Sequence, residues 1–577
     1  MQLIRRFRIP ALFCAFAVLI CELISRPFAE MGISDDVPYI LMARTLATTG
    51  HVVYNGWAAP MLTWQLYLAA TLIKLFGFSF TTVRMSTVLV AVALAFVLQR
   101  TLVLANITER NATIGTLALV LSPLYLVLSV TFMSDITGLF AIVICLYGCL
   151  RALQSSTSRA VVGWLCFAVL TNALCGTSRQ IAWLGILVMV PSTLWLLRAQ
   201  RRVLVAGAAA ILTGVVFIFA CLHWLKHQPY SVPEHIIPPS FPIAHTVSQL
   251  TALFLDVPFL LLPVFAIFLP CIRKRRPLLI AALCILFFGF LFLAIYPSHL
   301  RGYVSGLIEP TMRGGGDWVS IHGIHEGHNL HGTPPIFLNW EVQALLTIAS
   351  LGGLIGFILS LLHTRKSLHH AFVSTRTSWK QLGTLLVPFT IAYTLLLIPR
   401  ATSFIYDRYL LPLLIVALIC LIRYYQEQVH LRLPLTEILL VAAMAIYGIA
   451  VTHNQFSLYR ARVALAAELR ANGIPDTSVD NGFEYNFGVE LQHASHINLE
   501  AIAVPAGAYV PTPPLPPGTC PMFWHDETPH IHPLFGVAFD PNACYGLAPF
   551  APTHYSRWLA ASPGTLYVVR YTPTARH

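Results

Sequence analysis

The feature that most constrains this chain is a series of long apolar segments separated by short polar ones. Each segment approaches the roughly 20 residues that a helix needs to cross a bilayer core. Only 10% of the 577 residues are charged, against roughly 25% in soluble domains. The sequence therefore predicts an all-α polytopic membrane protein with about thirteen transmembrane helices, near residues 9–25, 85–103, 112–132, 136–150, 160–177, 180–197, 203–222, 248–270, 278–297, 342–362, 382–399, 409–422 and 434–452.

The basic residues indicate how the chain is oriented in its lipid bilayer. The net charge is +12, but the Lys and Arg residues form short clusters between apolar segments rather than a stripe with interleaved aromatic residues. We therefore expect no nucleic-acid partner. The positive-inside rule places these clusters in the cytoplasm only if segment 61–78 does not span but lies in the interface or re-enters. The outer loops 26–84 and 298–341 and the tail 454–577 then face the extracytoplasmic side.

Two domains follow from this topology. Residues 1–453 form the transmembrane domain, and residues 454–577 form a small extracytoplasmic α/β domain, long enough to bury its own core. The tail begins as a helix over 456–471 and continues with short strand-like runs. Cys520 and Cys544 are the cysteines of this polar tail. In an oxidising compartment we expect them to form a disulfide bond.

Two adjacent carboxylates, Asp35 and Asp36, follow the first apolar segment. Acidic side chains at a membrane face are costly unless they are solvated, paired or bound to a cation. One interpretation is a helix cap, because Ser34 or Asp35 precedes a helical pattern that continues to residue 46. Capping requires only one carboxylate, so the pair is also a candidate catalytic site.

Three further charged residues lie at the same predicted face. Asp135 follows one apolar segment and precedes the next, so the alternative role is again a helix cap. Arg179 lies between two segments, where a snorkelling side chain is the alternative. Arg408 follows Asp407 near the start of a later segment. Together these residues predict an acidic site bordered by arginines at the outer membrane face.

The long outer loop contains four histidines at three-residue spacing: His322, His325, His328 and His331. Imidazole is a common zinc ligand, so these are weak candidates for a metal site. The intervening glycine residues indicate a loop, and contact with an acceptor or simple solvation are the alternatives.

Four stretches in order and spacing resemble the GT-C membrane glycosyltransferases, in particular the bacterial relatives of protein O-mannosyltransferases and of the lipid A aminoarabinose transferase. They cover roughly residues 1–415 and read ISDDVPYILMARTLATTG (33–50), AAPMLTWQLYLAATLIKLFG (58–77), LSPLYLVLSVTFMSDITGLF (121–140) and YDRYLLPLL (406–414). The resemblance implies a GT-C-like fold in a bacterial inner membrane. It also implies transfer of a sugar from a polyprenyl-phosphate donor to an extracytoplasmic acceptor.

The resemblance also implies roles for individual residues. Asp35 matches the catalytic carboxylate of the family, with Asp36 beside it, and Asp135 matches the second-loop acid. Sugar transfer from a lipid phosphate needs a general base and positive charge near the departing phosphate. Arg179 and Arg408 are therefore candidate phosphate-binding residues. The acids could also hold a divalent metal ion through oxygen ligands, so the cofactor stays open.

The chain departs from the family pattern in one stretch, and there are two alternatives to a glycosyltransferase function. Many relatives carry Lys-Pro-Pro-Leu where this chain has Ala-Ala-Pro-Met at 58–61, which leaves the sugar of the donor undetermined. A polysaccharide polymerase or ligase would centre its chemistry on loop 298–341. A flippase or transporter of lipid-linked sugars would place ionisable groups at the middle of the membrane. The acids at the outer face favour an enzyme.

Overall fold

The computed structural model describes residues 2–233, 240–273, 319–320, 322–324, 330–363, 377–402 and 405–573. The predicted span 278–297 and most of loop 298–341 lie outside the described residues.

Helices make up most of the described chain. The membrane part contains α1 (Gln2–Ser25), α2 (Asp36–Thr49), α3 (Thr63–Phe76), α4 (Phe80–Leu104), α5 (Glu109–Val120), α6 (Pro123–Ser129), α7 (Ser134–Leu153), α8 (Ser158–Gly176), α9 (Val190–Leu196), α10 (Arg201–Lys226), α11 (Ile243–Leu260), α12 (Leu262–Ala266), α13 (Leu269–Arg273), α14 (Trp340–His363), α15 (Trp379–Arg400), α16 (Leu411–Gln428) and α17 (Leu435–Ala471). Short 3-10 and π turns cover Gln180–Trp183, Gly185–Met189 and Asp407–Leu410. The C-terminal part adds α18 (Gly482–Ala494). The six strands are β1 (Val319–Ser320), β2 (Gly323–Ile324), β3 (Val479–Asp480), β4 (Phe535–Ala538), β5 (Thr553–Tyr555) and β6 (Gly564–Arg570).

The polytopic membrane class is confirmed. In the described ranges nine helices are long and apolar enough to cross a bilayer, or ten if the bent pair α5 and α6 counts as one span. The expected number of about thirteen is not reached there, partly because some predicted spans are broken. The segment near 112–132 bends by 68° between α5 and α6, where Pro123 starts α6 and cannot continue the hydrogen bonding of α5.

Segment 61–78 contains α3, which is too short to span. Its 14 residues give a length of about 21 Å, against a hydrocarbon core of about 30 Å. One face, with Leu66, Ala69 and Ile73, is buried against the protein. The exposed Leu75 and Phe76 lie near its end. This length agrees with the expectation that segment 61–78 lies at the interface.

The C-terminal region folds around α17 and a four-stranded sheet in the order β3-β4-β6-β5. β3 and β4 are parallel, whereas β6 is antiparallel to β4 and β5. Leu458 and Leu465 of α17 share a core with Val537 and Leu566 of the sheet. The small C-terminal α/β region is thus present. α17 has 37 residues and runs without a break through position 453, so one helix connects the membrane domain to the C-terminal domain.

The predicted disulfide is confirmed. Cys520 and Cys544 are bonded, with Cα atoms 5.5 Å apart, within the range that a disulfide requires. The bond joins the segment before β4 to the loop that follows β4. Cys520 also packs with Ala538 and Val569 in a small core of its own.

Loss of this disulfide should destabilise the C-terminal domain. The bond closes a loop with a sequence separation of 24, for which the chain-entropy model gives about 3.5 kcal/mol of unfolding free energy. We expect the double variant Cys520→Ser/Cys544→Ser to unfold at a lower temperature, measured by circular dichroism of the full-length protein in detergent. Cys166→Ser, at an exposed free cysteine, is the control. Equal melting temperatures of the double variant and wild type would contradict the prediction.

A buried ion pair joins the C-terminal domain to the loop after α1. Arg462 of α17 donates to Glu484 of α18 at 3.0 Å, and both side chains are almost fully buried. Glu484 also accepts hydrogen bonds from the hydroxyl of Tyr459 and, at 3.1 Å, from the backbone N–H of Ser34. Burial alone would raise the pKa of Glu484, but Arg462, Tyr459 and the Ser34 amide hold that pKa below its usual range.

The depressed pKa of Glu484 predicts a pH-dependent stability. Its contribution is present above the unfolded pKa of about 4.3 and is lost as the pH falls through the folded pKa. Glu484→Gln should lower the unfolding free energy by about 3 kcal/mol or more at neutral pH, because it leaves Arg462 buried without its partner charge. The difference in melting temperature from wild type should shrink below about pH 4.

Thermal unfolding of the two full-length proteins between acidic and neutral pH measures this difference. Glu500→Gln, at an exposed acid of the same domain, provides the control for a general charge effect. A difference that stays constant across the pH range would show that the charge of Glu484 does not support the fold.

Candidate functional site

Asp35 lies immediately before α2, in a turn that begins with Ser34 in the left-handed conformation, at φ +53°. Within the described residues its carboxylate makes no capping hydrogen bond to α2. It accepts instead from the indole N–H of Trp57 at 3.1 Å and from the guanidinium of Arg408 at 3.3 Å. A quarter of the side chain (25%) is exposed. Asp35 therefore faces outward from the helix, toward an arginine.

Arg408 connects Asp35 to Asp135. Its Nη2 atom lies 3.3 Å from Asp35, and its Nη1 atom lies 4.0 Å from Asp135. Arg179 forms a second ion pair with Asp135. Asp135 and Arg408 are nearly buried, at 2% and 7% exposure, whereas Arg179 is 22% exposed. The four side chains thus alternate in charge in the order Asp35, Arg408, Asp135, Arg179.

The local sequence explains how Arg179 reaches Asp135. Asp135 stands in the first turn of α7, and Gly138 follows one turn later on the same face. A Cβ atom on Gly138 would come within 3.1–3.2 Å of the side-chain carbons of Arg179. The absence of a side chain at 138 therefore lets Arg179 lie along α7 with its guanidinium at the carboxylate.

Two tyrosine rings flank the arginines. The guanidinium of Arg179 lies 5.0 Å from the ring centre of Tyr409. That of Arg408 lies 4.7 Å from Tyr406 and 5.7 Å from Tyr409. These distances are typical of cation–π contacts. Aromatic residues around Arg408 are visible in the stretch 406–414, but the contact of Tyr409 with both arginines could not be deduced from it.

Asp36 has a different environment from its neighbour. It is fully buried and accepts from Arg84 of α4 at 3.3 Å and from the backbone N–H of Phe132 at 3.1 Å. Its other oxygen accepts from the backbone N–H of Ile33 at 2.6 Å. Asp36 thereby ties the Asp35 turn to α4 and to the segment before Asp135. Asp36 is therefore better placed to hold the other site residues in position than to contact a substrate.

α3 holds two further parts of the site together. The backbone N–H groups of Leu62 and Thr63 donate to the carbonyls of Ser178 and Thr177 at 3.3 and 3.2 Å. The side chain of Gln65 donates to the carbonyl of Phe132 at 2.8 Å. The start of α3 therefore links the turn that carries Arg179 to the segment that carries Asp135. No local pattern in segment 61–78 predicts this role.

These contacts bring the predicted site residues together. The turns that carry Asp35, Asp135, Arg179 and Arg408 meet directly, although they are far apart in sequence. The C-terminal domain lies on the same side, since Glu484 contacts Ser34.

The histidine motif is only partly described. His325 and His328 lie outside the described residues. His322 lies between β1 and β2, where its backbone N–H donates to Ser320. His331 contacts the carbonyl of Pro521 at 2.7 Å and pairs with Ala538 at the edge of the C-terminal sheet. In the described part of the chain, the residues whose ligand atoms lie close enough to bind a metal ion together with His331 are Cys520 and Cys544, whose sulfurs are bonded to each other. His331 thus anchors the end of the outer loop to the C-terminal domain.

No protein-family model matches the chain, and no curated protein matches it. Among solved structures, ArnT from Cupriavidus metallidurans bound to undecaprenyl phosphate aligns over 96% of this chain and 97% of that chain, at 14% identity and a TM-score of 0.40.

Two other solved structures are similar to this chain at the same low level. An oligosaccharyltransferase from Archaeoglobus fulgidus in the apo form aligns over 90% of this chain and 64% of that chain, at 15% identity and a TM-score of 0.42. The S. cerevisiae protein O-mannosyltransferase Pmt1-Pmt2 complex bound to the sugar donor aligns over 38% of this chain and 32% of that chain, at 13% identity and a TM-score of 0.29. Likenesses this distant carry no argument about activity, and the resemblance to GT-C glycosyltransferases rests on the residues of the sequence.

Proposed function

We propose that this chain is a membrane glycosyltransferase that moves a sugar from a polyprenyl-phosphate donor to an extracytoplasmic acceptor. The observation that supports it is the bridging of Asp35 and Asp135 by Arg408, with Arg179 beside them. A partly exposed carboxylate next to two guanidinium groups combines a proton acceptor with a binding site for phosphate. We place this site in a bacterial inner membrane, at its extracytoplasmic face.

In the proposed reaction Asp35 is the general base. Its carboxylate takes the proton of an acceptor hydroxyl as that oxygen bonds to the anomeric carbon of the sugar. The bond from the anomeric carbon to the phosphate oxygen breaks at the same time, and polyprenyl phosphate leaves with the electron pair. Asp35 suits this role because it is the most exposed member of the charged cluster, at 25%. General-base catalysis is typically worth 10²–10⁴ in rate.

Arg179 and Arg408 would bind the phosphate. A guanidinium group matches two phosphate oxygens at once, and its charge stabilises the departing group. Arg179 is the more accessible of the two, at 22% exposure, and Arg408 is nearly buried between the carboxylates. Asp135 would hold both guanidinium groups in place. Tyr409 restricts them further, because its ring contacts both.

A divalent metal ion does not fit the carboxylates as they are arranged. Each of Asp35 and Asp135 is paired with an arginine, whose positive charge repels a cation. Asp35 also accepts a hydrogen bond from Trp57, which leaves fewer of its oxygen lone pairs available. We therefore propose a reaction that needs no metal ion and expect transfer to persist in EDTA.

A transporter of lipid-linked sugars is the main alternative. Buried carboxylates deep in the described helices would favour it, because such groups mark transport pathways. Three carboxylates, Glu22, Asp256 and Glu437, are buried in apolar helices. Glu22 lies in the last turn of α1 and Glu437 in the first turn of α17, and Asp256 alone of these three lies away from a helix end, four residues before the end of α11. A polymerase or ligase centred on loop 298–341 would use residues that lie mostly outside the described ranges. The charged cluster favours the transferase.

Substitution of Asp35 by asparagine separates catalysis from folding. Asparagine keeps the size and an acceptor oxygen for the Trp57 indole, but it cannot take a proton. We expect sugar transfer to fall by about 10²–10⁴, with the fold and the binding of polyprenyl phosphate retained, because Arg408 keeps Asp135 as its second partner charge. Turnover of the purified variant with polyprenyl-phosphate hexoses and pentoses measures the effect. Near-normal turnover would remove Asp35 as the base.

Gly138 offers a test of phosphate binding that removes no charged group. Gly138→Val should push the side chain of Arg179 away from its position along α7. One charged hydrogen bond is worth about 1.5–3 kcal/mol, so the dissociation constant of polyprenyl phosphate should rise about tenfold or more.

The matched control is Gly163→Val, since a Cβ atom at that helical glycine meets nothing within 4 Å. Binding is measured by titration of the purified proteins with polyprenyl phosphate in detergent. Equal affinities of the two variants would show that the position of Arg179 does not matter for the phosphate.

A further inference from the structure

One helix of the C-terminal domain contacts the Asp35 turn from two sides. The first contact is direct, since Glu484 in the first turn of α18 accepts from the backbone N–H of Ser34 at 3.1 Å. Ser34 adopts a left-handed backbone conformation, which is strained for a residue with a side chain and needs support from its surroundings. The buried pair of Glu484 with Arg462 provides a rigid partner for it.

The second contact passes through Trp57. Its indole N–H donates to the Oδ1 atom of Asp35 at 3.1 Å. The indole ring packs against Phe483 and Phe487 of α18, with centroid distances of 5.4 and 4.8 Å, and against Trp524 at 5.8 Å. Phe483 and Phe487 are buried. The C-terminal domain therefore forms most of the aromatic cage that sets the direction of the Trp57 N–H.

The backbone around Trp57 is also docked on this domain. Ile497, which follows α18, donates its backbone N–H to the carbonyl of Asn55 at 2.8 Å. Gly56 has φ +86°, and a Cβ atom there would lie 2.6 Å from the carbonyl oxygen of Ile497. Only a glycine allows this approach. The segment 55–57 is thus held by the C-terminal domain at its backbone and at its side chain.

We infer that Trp57 is a positioning residue for Asp35 and that the C-terminal domain, through α18, holds the catalytic carboxylate in its reactive orientation. This inference rests on the proposed function. Asp35 is held at one oxygen by the Trp57 indole and at the other by Arg408. A carboxylate fixed at both oxygens presents a defined lone pair to an acceptor hydroxyl. Small errors in such geometry reduce the rate of a catalysed step.

The first test removes the indole N–H and keeps an aromatic ring. Trp57→Phe should lower kcat for sugar transfer about 10- to 100-fold. This is the effect expected from the loss of one hydrogen bond to a charged group, since each tenfold change corresponds to about 1.4 kcal/mol. The KM for the polyprenyl-phosphate donor should change little, because the phosphate is bound elsewhere. Trp379→Phe is the matched control: its indole N–H also donates to a carboxylate, that of Glu427, at 2.5 Å.

A second variant tests the role of the C-terminal domain without touching Asp35 or Trp57. Phe487→Leu keeps an apolar side chain in α18 but removes the ring that supports the indole. We expect kcat to fall in the same direction by a smaller factor, with an unchanged KM for the donor. Wild-type kcat in both Trp57→Phe and Phe487→Leu would overturn the inference.

A spectroscopic readout separates this inference from the proposed function. In protein labelled with 5-fluorotryptophan, the ¹⁹F resonance of Trp57 is assigned by its loss in Trp57→Phe. Asp35→Ala should shift that resonance and leave the resonance of Trp379 unchanged. An unshifted Trp57 resonance would overturn the inference whatever the activity. A shifted resonance in a protein that transfers no sugar would contradict the proposed function alone and leave the contact established.

Discussion

The interaction on which the site depends is the ion pairing of Arg408 with two carboxylates from distant parts of the chain. Asp35 follows α1, Asp135 begins α7, and Arg408 precedes α16. Charges this well buried are stable only when they are paired. Burial of Arg408 therefore requires both acidic turns to approach it. The same requirement brings in Arg179, which completes the pairing of Asp135.

Several surrounding elements hold the charged turns in position around Arg408. Gly138 makes room for Arg179, α3 connects the turns of Arg179 and Asp135, and Asp36 fixes the Asp35 turn from the protein side. The C-terminal domain adds support from the other side through Glu484 and Trp57. A site built from turns at helix ends acquires rigidity in this way, since each turn is held by at least one element other than its own helix.

Features that depend on the average polarity of a segment could be predicted from the sequence. Features that depend on the conformation of one residue or on one contact between distant residues could not. Hydropathy gave the membrane class, and the placement of basic residues gave the common face of Asp35 and Asp135. The sequence could not show that Asp35 and Asp36 have different environments. That difference depends on the left-handed backbone of Ser34 and on the ion pair of Asp36 with Arg84, 48 residues further along the chain. The contact of Glu484 with Ser34 spans 450 residues and leaves no local pattern. In the described ranges the break at Pro123 interrupts a segment that the sequence predicts as one continuous span.

If the cluster around Arg408 transfers sugar from a lipid phosphate, the purified protein must form both products of that reaction. The purified full-length protein is incubated with radiolabelled polyprenyl-phosphate hexoses and pentoses and a detergent extract of cell-envelope lipids and glycans, with EDTA present. We expect one equivalent of polyprenyl phosphate to be released for each sugar transferred, and neither product to form with Asp35→Asn/Asp135→Asn. Folded wild-type protein that transfers no sugar from any of these donors, or a double variant that retains wild-type turnover, would contradict the proposed function.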